Sequence, residues 1–140
     1  MQSRSPAQAY ALVFGIVLVA VGILGFFYES SFSTGDDIPA EGLLGIFDVN
    51  GWHNVVHIAS GLVGLALSGS WSSARLYALG FGAVYTVVAI WGFVIGDGEV
   101  ILDLIPVNTE DNVLHALIAA AGLGAGMATP STQAPTTASA

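Results

Sequence analysis

The chain has no cysteine and almost no positive charge: Arg4 and Arg75 stand against ten acidic residues, for a formal net charge of -8. Without thiols there is no disulfide framework and no thiolate metal site. Without clustered bases nucleic acid is excluded as a partner, because phosphate binding needs Lys and Arg. Charge of either sign is scarce, at 9% of 140 residues, where a soluble domain carries about a quarter. No nucleophile elbow, phosphate loop or catalytically spaced carboxylate pair occurs. A protein that is not an enzyme and needs no cofactor is the expectation.

What is present is apolar. Hydrophobic residues make up 54% of the chain, and the mean hydropathy is +0.78. Four apolar segments run at 9–28, 51–69, 75–96 and 110–128. Each is close to the ~20 residues that cross a ~30 Å hydrocarbon core as a helix. They are too long and too continuous for barrel strands, which are about ten residues and alternate. The fold predicted is an all-α integral membrane protein with four transmembrane helices, and the lipid bilayer is its first partner. The first segment exceeds a signal-peptide core, and 24-LGFFYESS-31 offers no small-x-small cleavage motif, so it is kept as a helix.

Arg4 and Arg75 fall on one side of four spans. A multi-pass protein of the cell membrane with both termini and the turn at 69–74 cytoplasmic is therefore predicted. All ten acids lie in or beside the other two connections, making the opposite face acidic. The membrane domain covers 1–128. The tail 129–140 is mostly Pro, Ser, Thr and Ala and is predicted to be disordered.

The chain also repeats itself. The pattern V-N-x3-N-V-[VL]-H-x6-G-L begins at Val49 and again at Val107, an offset of 58. Upstream, 10-YALVFG-15 returns as 77-YALGFG-82, an offset of 67. Two tandem helical hairpins result, at about 7–69 and 74–128, and the first connection is nine residues longer, within 29–42. An even number of spans per repeat gives both copies one orientation, related by an axis along the membrane normal.

From about residue 5 to 127 the sequence resembles the domain of unknown function 4383 family of small membrane proteins. The motifs that carry the resemblance are 9-AYALVFG-15, 44-LGIFDVNGWHNVVHIASGLVGL-65, 76-LYALGFG-82 and 104-LIPVNTEDNVLHALIAAAGL-123. The resemblance implies a four-helix membrane protein and no particular activity.

Asn50 and Asn108 are placed to cap the second and fourth helices. Asn54 with His57, and Asn112 with His115, follow on the same stripe as small residues such as Gly61, Gly64 and Gly122. Small residues favour close helix packing in membranes. The simplest pairing sets the second helix against the fourth, with Asn50, Asn54, His57, Asn108, Asn112 and His115 as an internal polar network fixing the register. That role suits an accessory or structural membrane component, as an oligomer with its own copies or with other membrane proteins. A second reading takes His53 and His57, at i and i+4, with Asp111 and His115 as a metal set, although His53 near the helix start is open to a solvent-facing position. Two histidines could also ligate haem. A third reading is a small transport or proton-path protein. Trp52, Trp71, Tyr10, Tyr28 and Tyr77 suit an interfacial belt.

Overall fold

A computed structural model describes residues 3–35 and 38–133. Four helices carry the fold: α1 (Pro6–Gly25), α2 (Gly51–Leu67), α3 (Trp71–Ile95) and α4 (Thr109–Ala128). Two of them, α1 and α3, are long and apolar enough to cross a membrane. α2 is short, at 17 residues, and α4 opens on the polar run Thr109, Glu110, Asp111 and Asn112.

The buried positions reproduce the sequence repeat. Ala7, Tyr10, Ala11, Gly15 and Gly25 of α1 are buried, and so are Ala74, Tyr77, Ala78, Gly82 and Gly92 of α3, each pair 67 apart. Asn54, His57, Gly61 and Gly64 of α2 match Asn112, His115, Ala119 and Gly122 of α4, 58 apart. The bundle is a pseudo-twofold pair of hairpins.

The tight pairings lie inside each repeat, α1 with α2 and α3 with α4. This corrects the expectation that α2 pairs with α4. Glycine explains the choice. A side chain at Gly15 or Gly61 would strike the opposing backbone and Leu65 or Val19, so α1 and α2 meet there with nothing between them. In the second repeat Gly82 fits against Ala119 and Leu123, and Gly126 against Leu79. Across the axis the first turns of α1 and α3 share a small-residue core of Ala7, Ala11, Ala74 and Ala78 with Tyr10 and Tyr77.

Those tyrosines are internal, which corrects their expected place in an interfacial belt. The Tyr10 hydroxyl donates to the Ile118 carbonyl and the Tyr77 hydroxyl to the Ser60 carbonyl, both at 3.1 Å. Each ring lies over a glycine of the other repeat, Tyr10 on Gly122 and Tyr77 on Gly64.

Two short antiparallel hairpins occupy the acidic end, and nothing in the apolar runs announces them. They are β1 (Glu41–Leu43) with β2 (Phe47–Val49), and β3 (Glu99–Ile101) with β4 (Ile105–Val107). Their tips put Leu44 and Gly45, or Leu102 and Asp103, at positive φ, as a type I′ turn requires at both central residues. β2 lies against β4, closing that end.

At the other end the first turn of α1 and the residues just after α4 meet the α2–α3 turn. Trp71 Nε1 donates to the Pro130 carbonyl at 2.9 Å, and Gln8 Nε2 to the Gly69 carbonyl at 3.2 Å. Thr129, expected to begin a disordered tail, is fully buried: its Oγ1 accepts from Ala7 N–H, and its carbonyl accepts from Arg75 Nε. Residues 134–140 of the expected tail lie outside the described residues.

Candidate metal centre

The site is built from the caps downward. Asn50 Oδ1 accepts from His53 N–H and Asn108 Oδ1 from Asp111 N–H, both at 2.9 Å, so each Asn opens its helix. Each also ties the repeats together. Asn50 Nδ2 donates to the Leu104 carbonyl at 2.8 Å, and Asn108 Nδ2 to the Ile46 carbonyl at 2.7 Å. Residues 46 and 104 are repeat-mates, so the two bonds cross the pseudo-axis symmetrically. Asn50→Ala or Asn108→Ala loses a cap and strands a carbonyl of the other hairpin. Each should cost about 1–3 kcal/mol, read as a lower melting temperature in detergent. Asn50→Ser keeps a cap acceptor and loses the donor, so it should cost less. If the Ala variants melt like wild type, the caps do not join the repeats.

Asn54 bonds to nearby backbone and not to its repeat-mate Asn112. Asn54 Nδ2 donates to the Glu29 carbonyl at 2.9 Å, holding the end of α1 on α2. Its Oδ1 faces Gly25, and Asn112 Oδ1 faces Gly92 in the same way. Neither oxygen has a conventional hydrogen-bond donor.

The seventh position of each helix brings in His57 and His115, about 10 Å down from the caps. His53 joins them from the first turn of α2. It is 2% exposed, which closes the solvent-facing position left open by the sequence, while His57 is 6% and His115 3% exposed. One ring nitrogen from each of the three lies within 4.8 Å of the others. The His53 ring stands edge-on to His57 at 4.4 Å between centroids and lies 6.0 Å from His115. Nδ1 of His53 donates to the Asp48 carbonyl at 2.9 Å, which leaves Nε2 for a ligand. The buried Nδ1 atoms of His57 and His115 have no partner.

Asp111 does not belong to this group. The carboxylate expected to complete a metal set accepts from Asp48 N–H at 2.9 Å and from Asn108 N–H at 3.3 Å. The repeat explains the divergence. Asp111 replaces His53 in the second copy, and Pro106 replaces Asp48. Proline has no N–H, so only Asp48 can donate. Its backbone therefore serves both residues, accepting from His53 through oxygen and donating to Asp111 through nitrogen. Burial holds the Asp48 carboxyl itself above its ordinary range.

The three imidazoles line a cavity of about 190 Å³ closed by Tyr85, Ile101, Ile105 and valines of α2 and α3. Tyr85 stands edge-on to His115 at 5.2 Å. Tyr85 has no aromatic counterpart in the first repeat, where Leu18 stands. A haem is disfavoured, since sites for drug-sized ligands measure about 300–1,000 Å³. Three imidazoles suit zinc, copper, iron or nickel, and one ligand fewer than four leaves a position open. The Asp48 carbonyl on His53 Nδ1 is the outer-shell contact that fixes a ligating tautomer.

A family model described as Domain of unknown function (DUF4383) matches residues 8–128. No curated protein and no solved structure matches the chain.

Proposed function

The chain belongs to this family of unknown function, and we propose that it is a four-span, non-enzymatic membrane component that holds a transition-metal ion on His53, His57 and His115. One observation carries the metal reading: three buried imidazoles present nitrogens within 4.8 Å of one another, and two of them have no hydrogen-bond partner at Nδ1. A purely structural network would leave such atoms paired, because buried polar groups almost always are.

The membrane reading is supported by a molecule with its polarity reversed. Asn50, His53, Asn54, His57, Asn112 and His115 are inside, while Val13, Ile16, Leu62, Val87, Ile90 and Leu117 face out. In water an apolar exterior of this extent is an association liability; in lipid it is the required surface. α2 is about 26 Å long at 1.5 Å per residue, and the hairpin above it completes the ~30 Å span. Arg4 and Arg75 share the end that holds the α2–α3 turn, which favours that end as cytoplasmic.

Protein purified in detergent and loaded with zinc, then desalted, should retain about one ion per chain by elemental analysis. Zinc and copper both washing out would overturn the metal reading. The chain has no cysteine, so single cysteines placed at Ser33 and Ser73 report topology. An impermeant thiol reagent on intact cells should label the first and not the second. Labelling at Ser73 alone would reverse the orientation; labelling at both would remove the spans.

A further inference from the structure

The pseudo-twofold symmetry also fails beside the histidine cavity. Ile118 of α4 is 4% exposed and packs in the core with Tyr85 and Ala119. Its repeat-mate is Ser60. The neighbours shrink as well: α4 has Leu114 and Leu117 where α2 has Val56 and Ala59. On the α1–α4 side Ile118 and Leu114 pack into the core beside Phe14 of α1, whereas α2 touches α3 less than α1 touches α4. An apolar groove of about 460 Å³ lies between α2 and α3 and shares Ser60, Phe81 and Val84 with the histidine cavity. Val56 and Val84 at its edge face outward, toward the surface assigned above to lipid.

At the inner end sit the unpartnered Nδ1 atoms of His57 and His115. Three neutral imidazoles leave the charge of a divalent ion uncompensated, and the one buried acid nearby, Asp111, is turned to the backbone of Asp48 and Asn108. An uncompensated charge in an apolar cavity is costly. A ligand that lies in the groove and offers a carboxylate at its head would satisfy the open position and the charge together.

We propose that the groove between α2 and α3 binds a single-chain fatty acid, which enters from the bilayer and sets its carboxylate on the ion held by His53, His57 and His115. The proposal rests on the metal reading above, and the two fail in different ways.

Zinc-loaded full-length protein in lipid nanodiscs would be irradiated with a palmitate analogue carrying a diazirine in its chain, and the crosslinks mapped by mass spectrometry. Labelling should concentrate on Ala59, Val63 and Gly80. Palmitate should compete, hexadecanol should not, and a chelator should reduce labelling at least tenfold. Filling the groove away from the histidine cavity, with Ala59→Leu and Gly80→Leu together, should also reduce it at least tenfold while the zinc content stays unchanged. Ala59→Leu alone provides the same test if the double variant melts early. Zinc retained with labelling spread over all outward faces, or equal competition by hexadecanol, overturns the fatty-acid site and leaves the metal site standing. No zinc retained overturns the metal site, and labelling that survives its absence overturns the carboxylate–metal contact with it.

Discussion

Gly25→Ala and Gly92→Ala should be among the most destabilising single changes in the molecule. A Cβ at Gly25 would run into Asn54 Oδ1, and one at Gly92 into Asn112 Oδ1. Neither Asn can step aside freely. Asn54 is fully buried, and its other side-chain atom is bonded to the Glu29 carbonyl. Overpacking a tight contact costs about 1–3 kcal/mol, occasionally more, and at Gly25 the loss of the Asn54–Glu29 hydrogen bond adds to it. Gly124→Ala, where nothing lies within 4 Å, should be neutral or slightly stabilising. Thermal melts in one detergent would compare them. Pairing Gly25→Ala with Asn54→Ala should cost less than the sum of the two, because the second change removes the obstacle that makes the first expensive. A Gly25→Ala protein that melts like wild type would mean that α1 and α2 do not cross at this distance.

That contact shows how far the sequence could be read. The doubled Asn marks helix starts because the N-cap is a local device: the side chain at position 50 or 108 meets a backbone N–H three residues on. The offsets of 58 and 67 are local facts as well, and they deliver the paired hairpins and the inward stripe. Which helix the stripe faces is different. Small residues permit a close crossing without naming the partner. Gly15, Gly22, Gly25 and their mates on α3 supply complementary positions on the neighbour within each repeat. Position along a helix misleads for Tyr10 and Tyr77 too. Both sit near helix ends, yet their hydroxyls find carbonyls of the opposite repeat. The strands at 41–49 and 99–107 escape a reading based on apolar runs, since their tips put Leu44 with Gly45 and Leu102 with Asp103 at positive φ in place of the Asn-Gly signal such turns usually carry.

The histidine group was legible in membership and not in geometry. The i, i+4 spacing of His53 and His57 announces a shared face, and the repeat announces His115. Asp111 looks equivalent to His53 by alignment of the copies, but equivalence of position is not equivalence of role. The substitution of Pro106 for Asp48 removes one N–H on one side, and the remaining N–H draws the carboxylate to the backbone. A pairwise departure from the repeat, His53 with Asp48 against Asp111 with Pro106, is therefore the mark of the site.

Replacing any one of His53, His57 or His115 by Ala should lower zinc affinity beyond the ~10–100-fold typical of losing an outer-shell partner, because each contributes a ligand itself. Asp111→Asn should leave affinity nearly unchanged, since its remaining oxygen still accepts from the backbone. Zinc bound to the folded bundle alone also stabilises it, by about 2.7 kcal/mol at a free concentration a hundred times Kd. The melting temperature of wild type should thus rise on zinc addition and fall on chelation, and the three His variants should show neither change. The comparison has a further consequence that a structural network would not produce. In chelator, His57→Ala removes a ring whose Nδ1 has no partner, so the variant loses packing but sheds an unsatisfied polar atom, and its stability should lie close to wild type. In zinc the same change should be strongly destabilising. Were His57 present only to bond across the bundle, its removal would cost the same in both conditions; the dependence of that cost on zinc separates a ligand from a strut.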